Sequence, residues 1–209
     1  MKNTRCVICG AAPTADPAAL RQLLLPEDTF IAADGGWRLC EQLGRVPELV
    51  VADFDSLTDP LPPSVERLSL PVRKDDTDLA VAADRAVCAG FRELLLLGCT
   101  GGRLDHQMAN QQLLCRLAKR GCHAVMADEN NRIEAVTVSP VTVPAMPGWS
   151  LSLFAAEPVG GLTLTGTAYP LDGYDLMPGD SLCVSNRVTA PAATVTFRSG
   201  TLLLFRSKD

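Results

Sequence analysis

Five short runs in this chain are apolar at every position: Cys6–Cys9, Phe30–Ala33, Leu49–Ala52, Leu94–Leu97 and Ala124–Ala127. A strand with one face in water alternates polar and apolar residues. A continuously apolar run therefore predicts a strand buried on both faces, as in a parallel sheet covered by helices. A further strand is expected over Arg67–Val72. Helical segments lie between the runs. In Leu79–Ala89 the residues Leu79, Ala82, Ala83, Ala86 and Val87 recur at helical spacing, with Asp84 and Arg85 facing away. Thr77 or Asp76 is placed to cap its start. A second helix is expected from Asp105 to Lys119, ending at Gly121. Strands alternating with helices imply a doubly wound, mostly parallel α/β domain over residues 1–127.

After about residue 128 the texture changes to valine, threonine, proline and glycine, as in Ile133–Val143 and Gly160–Thr167. Short strands are expected at Ser150–Ala155, Leu162–Thr165, Ser181–Val184, Thr194–Phe197 and Thr201–Phe205. Turn signals at Pro147-Gly148, Pro178-Gly179 and Ser199-Gly200 separate them. No helical periodicity stands out, so residues 128–209 are expected to form a smaller all-β, sandwich-like domain.

Composition narrows the function classes. Of 209 residues, 19 are Lys or Arg and 24 are Asp or Glu, a net charge of −5. Such a balance argues against general nucleic-acid binding, which needs a basic face. No apolar run approaches the roughly 18 residues of a membrane span, and Cys6 to Gly10 is too short for a secretory core segment. The eight cysteines lie inside apolar runs, as small buried hydrophobes do, so a reduced, cytoplasmic setting is expected. Cys6 and Cys9 in one strand point to opposite faces and are not expected to chelate together. His123 lies outside every motif and is read as structural.

The placement of aspartates carries the functional signal. Asp34 follows Phe30–Ala33 and precedes Gly35-Gly36. Asp53 and Asp55 follow Leu49–Ala52. Asp75, Asp76 and Asp78 follow Arg67–Val72, and Asp105 follows Leu94–Leu97 through the loop Gly98–Arg103. Each group sits past the carboxyl end of a strand, and in a parallel sheet those ends share one edge, where ligands bind. A single aspartate in such a turn is ordinarily a cap. However, Asp53 and Asp55, two residues apart in an extended segment, point the same way. Several acids on one edge suit Mg²⁺, which takes carboxylate, water and phosphate oxygens. Gly98, Gly101 and Gly102, with Thr100 between them, let backbone N–H groups approach an anion ahead of a helix N-terminus. Lys74 and Arg103 are candidate phosphate clamps, and His106 either touches phosphate or bonds locally. The P-loop and the Gly-x-Gly-x-x-Gly fingerprint are both missing. Phosphoryl-type transfer from a nucleotide is the implied chemistry.

Asp34-Gly35-Gly36, Asp53-Phe54-Asp55-Ser56, Lys74-Asp75-Asp76-Thr77-Asp78 and Gly101-Gly102-Arg103-Leu104-Asp105-His106, with Asn110 behind, resemble the motifs of the thiamine pyrophosphokinase family in order and spacing. The resemblance is strong over residues 30–115 and weaker beyond, through Val184-Ser185-Asn186 and Gly200–Phe205. It implies that ATP and thiamine give AMP and thiamine diphosphate with Mg²⁺, the thiamine hydroxyl attacking the β-phosphorus. It also implies catalytic roles for Asp53, Asp55, Asp78 and Asp105, of which Asp53, Asp55 and Asp78 hold the metal. ATP and phosphate contacts would come from Asp34, Gly35, Lys74, Thr77, Thr100, Gly101, Gly102, Arg103 and His106. Thiamine contacts would come from Ser185 and Asn186, in a homodimer where the α/β domain of one chain meets the β domain of the other. The chain departs from the family at Ala52, often glycine, at Arg187, often an acid, and at Trp37-Arg38, usually smaller or polar. Trp37, Trp149, Tyr169 and Tyr174 either pack or stack on a flat cationic heterocycle. Two other readings remain: a phosphohydrolase with Asp53 as covalent nucleophile, and a non-catalytic thiamine or nucleotide sensor.

Overall fold

The computed structural model describes residues 5–53, 61–71 and 75–209. The chain divides into two compact units. The first covers the chain to Leu113 together with Gly121–Glu129, and the second covers Leu114–Arg120 and Asn130–Asp209.

In the first unit, β1 (Cys6–Cys9), β2 (Thr29–Ala33), β3 (Leu49–Ala52), β4 (Glu66–Ser69), β5 (Glu93–Leu97) and β6 (His123–Ala127) lie in the order β4-β3-β2-β1-β5-β6. Every pairing among them is parallel. The apolar runs are buried as their composition demands: all four residues of β1 are fully buried, as are Val50, Val51 and Ala52 of β3. β4 is shorter than the expected Arg67–Val72 and starts one residue earlier. It is an edge strand with mostly exposed residues, so its burial pattern carries little sequence signal. The helices are α1 (Pro17–Leu20), α2 (Trp37–Gln42), α3 (Asp78–Cys88) and α4 (Leu104–Lys119). The apolar stripe of α3 (Leu79, Ala80, Ala82, Ala83, Ala86, Val87) is buried, and the helix packs against β1, β2 and β3. Thr77 caps it, its hydroxyl accepting from the Ala80 N–H at 3.2 Å. Near the sheet edge Asp28 is held by Arg5, whose Nε and a terminal nitrogen donate to its carboxylate at 3.0 and 2.7 Å.

Apart from the end of α4, the regular elements of the second unit are all strands. β7 (Asn131–Val136), β13 (Leu202–Ser207) and β9 (Ser150–Ala155) form one antiparallel set. β11 (Leu171–Leu176), β10 (Val159–Thr165), β12 (Ala192–Thr196) and β8 (Val141–Pro144) form another. Alternate residues from both sets, among them Leu151, Leu153, Leu202 and Leu204 against Val143, Leu162, Leu164 and Val195, share one buried core. That is the sandwich arrangement. One expected strand is corrected. Ser181–Val184 is a turn, closed by the Val184 N–H donating to the Ser181 carbonyl at 3.1 Å. Of its three apolar residues only Cys183 is buried, while Leu182 and Val184 are exposed.

Candidate functional site

The chain's progress across the first sheet reverses between β1 and β5, and in such sheets the crevice at the carboxyl ends of those two strands takes the ligand. Here the strand ends approach closely: the Gly10 N–H donates to the Leu97 carbonyl at 2.7 Å and the Ala12 N–H to the Gly98 carbonyl at 2.9 Å. Gly98 permits this. Its φ is +61°, and a Cβ on it would stand 2.5 Å from the Gly10 carbonyl oxygen, a position that no other residue fills without strain.

Around this point lies a cavity of about 440 Å³. Asp34, Thr77, Asp78, Gly101, Gly102, Arg103 and His106 all line it, so three separate turns of sequence converge on one space. Asn110 borders it too, its side-chain NH₂ donating to the Cys99 carbonyl at 2.8 Å and fastening α4 to the loop. A second cavity, of about 530 Å³, shares Gly10–Pro13 and Asp34 with the first and runs out to Gly35, Trp37, Arg38 and Gln42. Sequence reasoning missed the segment Gly10–Pro13, which walls both cavities. It follows the carboxyl end of β1 and so obeys the rule that singled out the aspartates.

The other expected residues fall as follows. Thr100, within the loop, is buried and does not line the cavity, and Gly35 borders only the second cavity. Asp53 follows the last residue of β3 and borders neither cavity. Asp55 and Lys74 lie outside the described residues. The Asp105 carboxylate lies outside the lining as well. It accepts from Arg103 Nε at 3.1 Å and from a terminal Arg103 nitrogen at 2.6 Å, and from the His106 N–H at 2.9 Å. The guanidinium fork holds its pKa down at about 2. Arg103, in contrast, borders the cavity and is largely exposed with its carboxylate partner. It is a cation at the cavity mouth, engaged by an exchangeable anion.

Among the described residues, two that are not glycine take a left-handed φ: Asp34 at 52° and Ser185 at 59°. Both were singled out from sequence, and strained backbone of this kind concentrates at functional sites. Ser185 borders a cavity of about 660 Å³ within the second unit, with Trp149, Arg187 and Lys208 also in its wall. Asn186 is buried and acts on the backbone: it accepts from the Tyr169 N–H at 3.0 Å, donates to the Tyr169 carbonyl at 2.8 Å, and accepts from the Arg187 N–H at 2.8 Å. It therefore fixes the loop that carries Ser185. Of the candidate stacking rings, Trp37 is buried in the first core. Trp149 lies beneath the Arg132 and Lys208 cations at 5.4 and 5.5 Å. The Tyr174 hydroxyl meets Asp180, and Tyr169 is 67% exposed.

All eight cysteines are free thiols. Burial pushes the Cys6 and Cys99 thiols up to about 12, which leaves them unreactive although Cys99 borders the first cavity. Among the described residues no three His, Cys, Asp or Glu side chains converge to hold a metal by themselves. None of the helices there is long and apolar enough to cross a membrane.

Two family models match the chain: "Thiamin pyrophosphokinase, catalytic domain" over residues 20–126, and "Thiamin pyrophosphokinase, vitamin B1 binding domain" over residues 141–202. A thiamine pyrophosphokinase of Bacillus subtilis is 30% identical over 187 residues, 86% of this chain and 87% of the relative. A crystal structure of thiamine pyrophosphokinase from the same organism superposes with a TM-score of 0.89 at 27% identity, covering 99% of this chain and 100% of that one. The enzyme from Geobacillus thermodenitrificans gives 0.85 at 29%, covering 99% and 98%. The yeast enzyme gives 0.73 at 13%, covering 98% and 86%, a likeness of fold. With both family models in chain order and a relative matched over most of its length, the chain belongs to the thiamine pyrophosphokinase family.

Proposed function

We propose that the chain transfers a pyrophosphoryl group from ATP to the hydroxyl of thiamine, giving thiamine diphosphate and AMP with Mg²⁺. The observation that supports this most is the convergence of Asp78, Arg103 and the Gly98–Gly102 loop on one cavity at the β1/β5 switch point. The triphosphate lies against that loop, where backbone N–H groups and the start of α4 favour negative charge. Arg103 exchanges the Asp105 carboxylate for phosphate oxygens, turning its fork toward the transferred group. The thiamine hydroxyl oxygen bonds to the β-phosphorus, the bond to the α–β bridging oxygen breaks, AMP leaves, and the hydroxyl proton is released. Most of the stabilisation is electrostatic, because the group in transit is a polyanion.

The residues present suit Mg²⁺. It binds through one or two carboxylates, completed by water and substrate phosphates. Asp78 offers a carboxylate at the cavity while Thr77 carries the cap; Asp53, which lies outside the lining, and Asp55 are proposed as further ligands on the family resemblance alone. Bound there, the ion would neutralise phosphate charge. A second copy of this chain is the expected partner, with Ser185 and Asn186 on the thiamine side. Light scattering tests the dimer, expected at twice 22.2 kDa.

The test is incubation with ATP, Mg²⁺ and thiamine, followed by chromatography. AMP and thiamine diphosphate should appear one for one. Inorganic phosphate with no AMP would defeat the reading. Replacing Asp78 with asparagine should abolish turnover at saturating Mg²⁺ with the fold unchanged by circular dichroism, and a normal rate would remove it from the metal site.

A further inference from the structure

We infer that the cavity of about 660 Å³ in the second unit binds a diphosphate group, held by Arg187 and Lys208. This cavity shares no residue with the two of the first unit. The inference goes beyond the proposed reaction, since binding here needs neither ATP nor turnover.

Charge is the first observation. Arg187 and Lys208 stand in one wall with a single acid, Asp209. A third cation, Arg132, lies over the ring of Trp149, which also borders the cavity and has Lys208 at 5.5 Å. Elsewhere the cations are matched: Arg5, Arg103, Lys119, Arg198 and Arg206 each meet a carboxylate. Among the described residues, neither Arg187 nor Lys208 does. In a chain of net charge −5, cations gathered around one ring repel one another, and an anion between them relieves that cost.

Hydrogen-bond donors are the second observation. Ser185 and Ser207 border the same cavity. Ser185 bonds to the Ser152 hydroxyl through its N–H, and Ser207 accepts from the Ser150 hydroxyl through its carbonyl. Among the described residues, no partner engages the hydroxyl of either. A guanidinium fork, an ammonium and two hydroxyls are all donors, so the matching ligand is an anion with many acceptor oxygens. Diphosphate spreads its charge over two phosphorus centres and can engage both cations, which a single carboxylate cannot. Thiamine is itself a cation, and these side chains repel it. The volume is that of a small-molecule site, which runs from about 300 to 1,000 Å³. Two sources supply the group: inorganic diphosphate, and the diphosphate end of thiamine diphosphate, the product of the proposed reaction.

The test is isothermal titration calorimetry without Mg²⁺ or ATP. Arg103→Ala serves as the parent protein, so that the phosphate cavity of the first unit is weakened. Inorganic diphosphate should bind one to one. Arg187→Ala and Lys208→Ala should each weaken it about tenfold, the low end for a hydrogen bond to a charged group because both side chains are exposed. Arg187→Glu should abolish binding, and Arg187→Lys, which keeps the charge, should restore part of it. Circular dichroism checks that each variant is folded. Unchanged affinity in both alanine variants would overturn the inference. So would sulfate that competes as well as diphosphate at matched ionic strength, because the cations would then form an unselective anion patch. Thiamine diphosphate that binds more tightly than inorganic diphosphate, with the same dependence on Arg187, makes the product the source. Equal or weaker binding makes the free anion the source, and the site stands in either case. Nothing turns over in this experiment, so its failure leaves the proposed reaction untouched, and a failure to form AMP leaves this site untouched.

Discussion

Replacing Gly98 with alanine should damage both stability and the nucleotide site, and the structure separates the two causes. The first is backbone: φ is +61°, and a left-handed conformation costs an L-residue about 1–2 kcal/mol. The second is space: the new Cβ would meet the Gly10 carbonyl oxygen at 2.5 Å and a Leu39 methyl at 2.9 Å. Overpacking of this kind costs about 1–3 kcal/mol. Together they come to about 2–5 kcal/mol, and at about 2–4 °C per kcal/mol for a chain this long the melting temperature should fall by about 10 °C. Gly121 supplies the control. Its φ is +72°, but nothing lies within 4 Å of an added Cβ, so Gly121→Ala should show the backbone cost alone. Differential scanning fluorimetry of both variants reads the difference, and the KM for ATP should rise in Gly98→Ala only, as β1 and β5 separate at the crevice. If Gly98→Ala melts no lower than Gly121→Ala, the close approach of the two strand ends is not what requires glycine, and the argument fails.

Asp28→Ala should cost about 3–5 kcal/mol in chemical denaturation, because it strands the Arg5 guanidinium beside a site where the carboxylate side chain is fully buried; a loss below about 1 kcal/mol would show that the pair is dispensable. Arg103→Ala should raise the KM for ATP more than that for thiamine, and the reverse order would move Arg103 away from the phosphates. The Asp105 carboxyl, lowered to about 2 by Arg103, makes a contribution that is complete above the unfolded pKa of about 3.9 and disappears as pH falls through about 2. In an NMR titration Arg103→Ala should return this carboxyl toward the ordinary value, and an unchanged midpoint would assign the shift elsewhere.

Much of the first unit is legible because burial on both faces leaves a mark in sequence. Cys6–Cys9 and Leu49–Ala52 are strands with the expected bounds. The helix over Asp78–Cys88 follows from its stripe and cap. The second unit is less so. β11, Leu171–Leu176, contains two aspartates and a glycine, the composition of a turn, and is a strand only because β10 pairs with it from elsewhere in the chain. Ser181–Val184 has the reverse character, apolar by composition but held as a turn. At the site, the rule that aspartates past strand ends share one edge located Asp34 and Asp78. It could not separate residues that face the cavity from those that serve them. Asp105 engages Arg103, and Asn186 grips the Tyr169 backbone, roles set by contacts that spacing does not encode.

The chain contains two tryptophans, and the fold assigns one to each unit: Trp37 in the first core, Trp149 in the second beneath Arg132 and Lys208. Each unit thus carries its own optical reporter. With one indole replaced by phenylalanine, the emission of the other follows the melting of a single unit, and binding at the Ser185 cavity, whose wall includes Trp149, can be watched without a label.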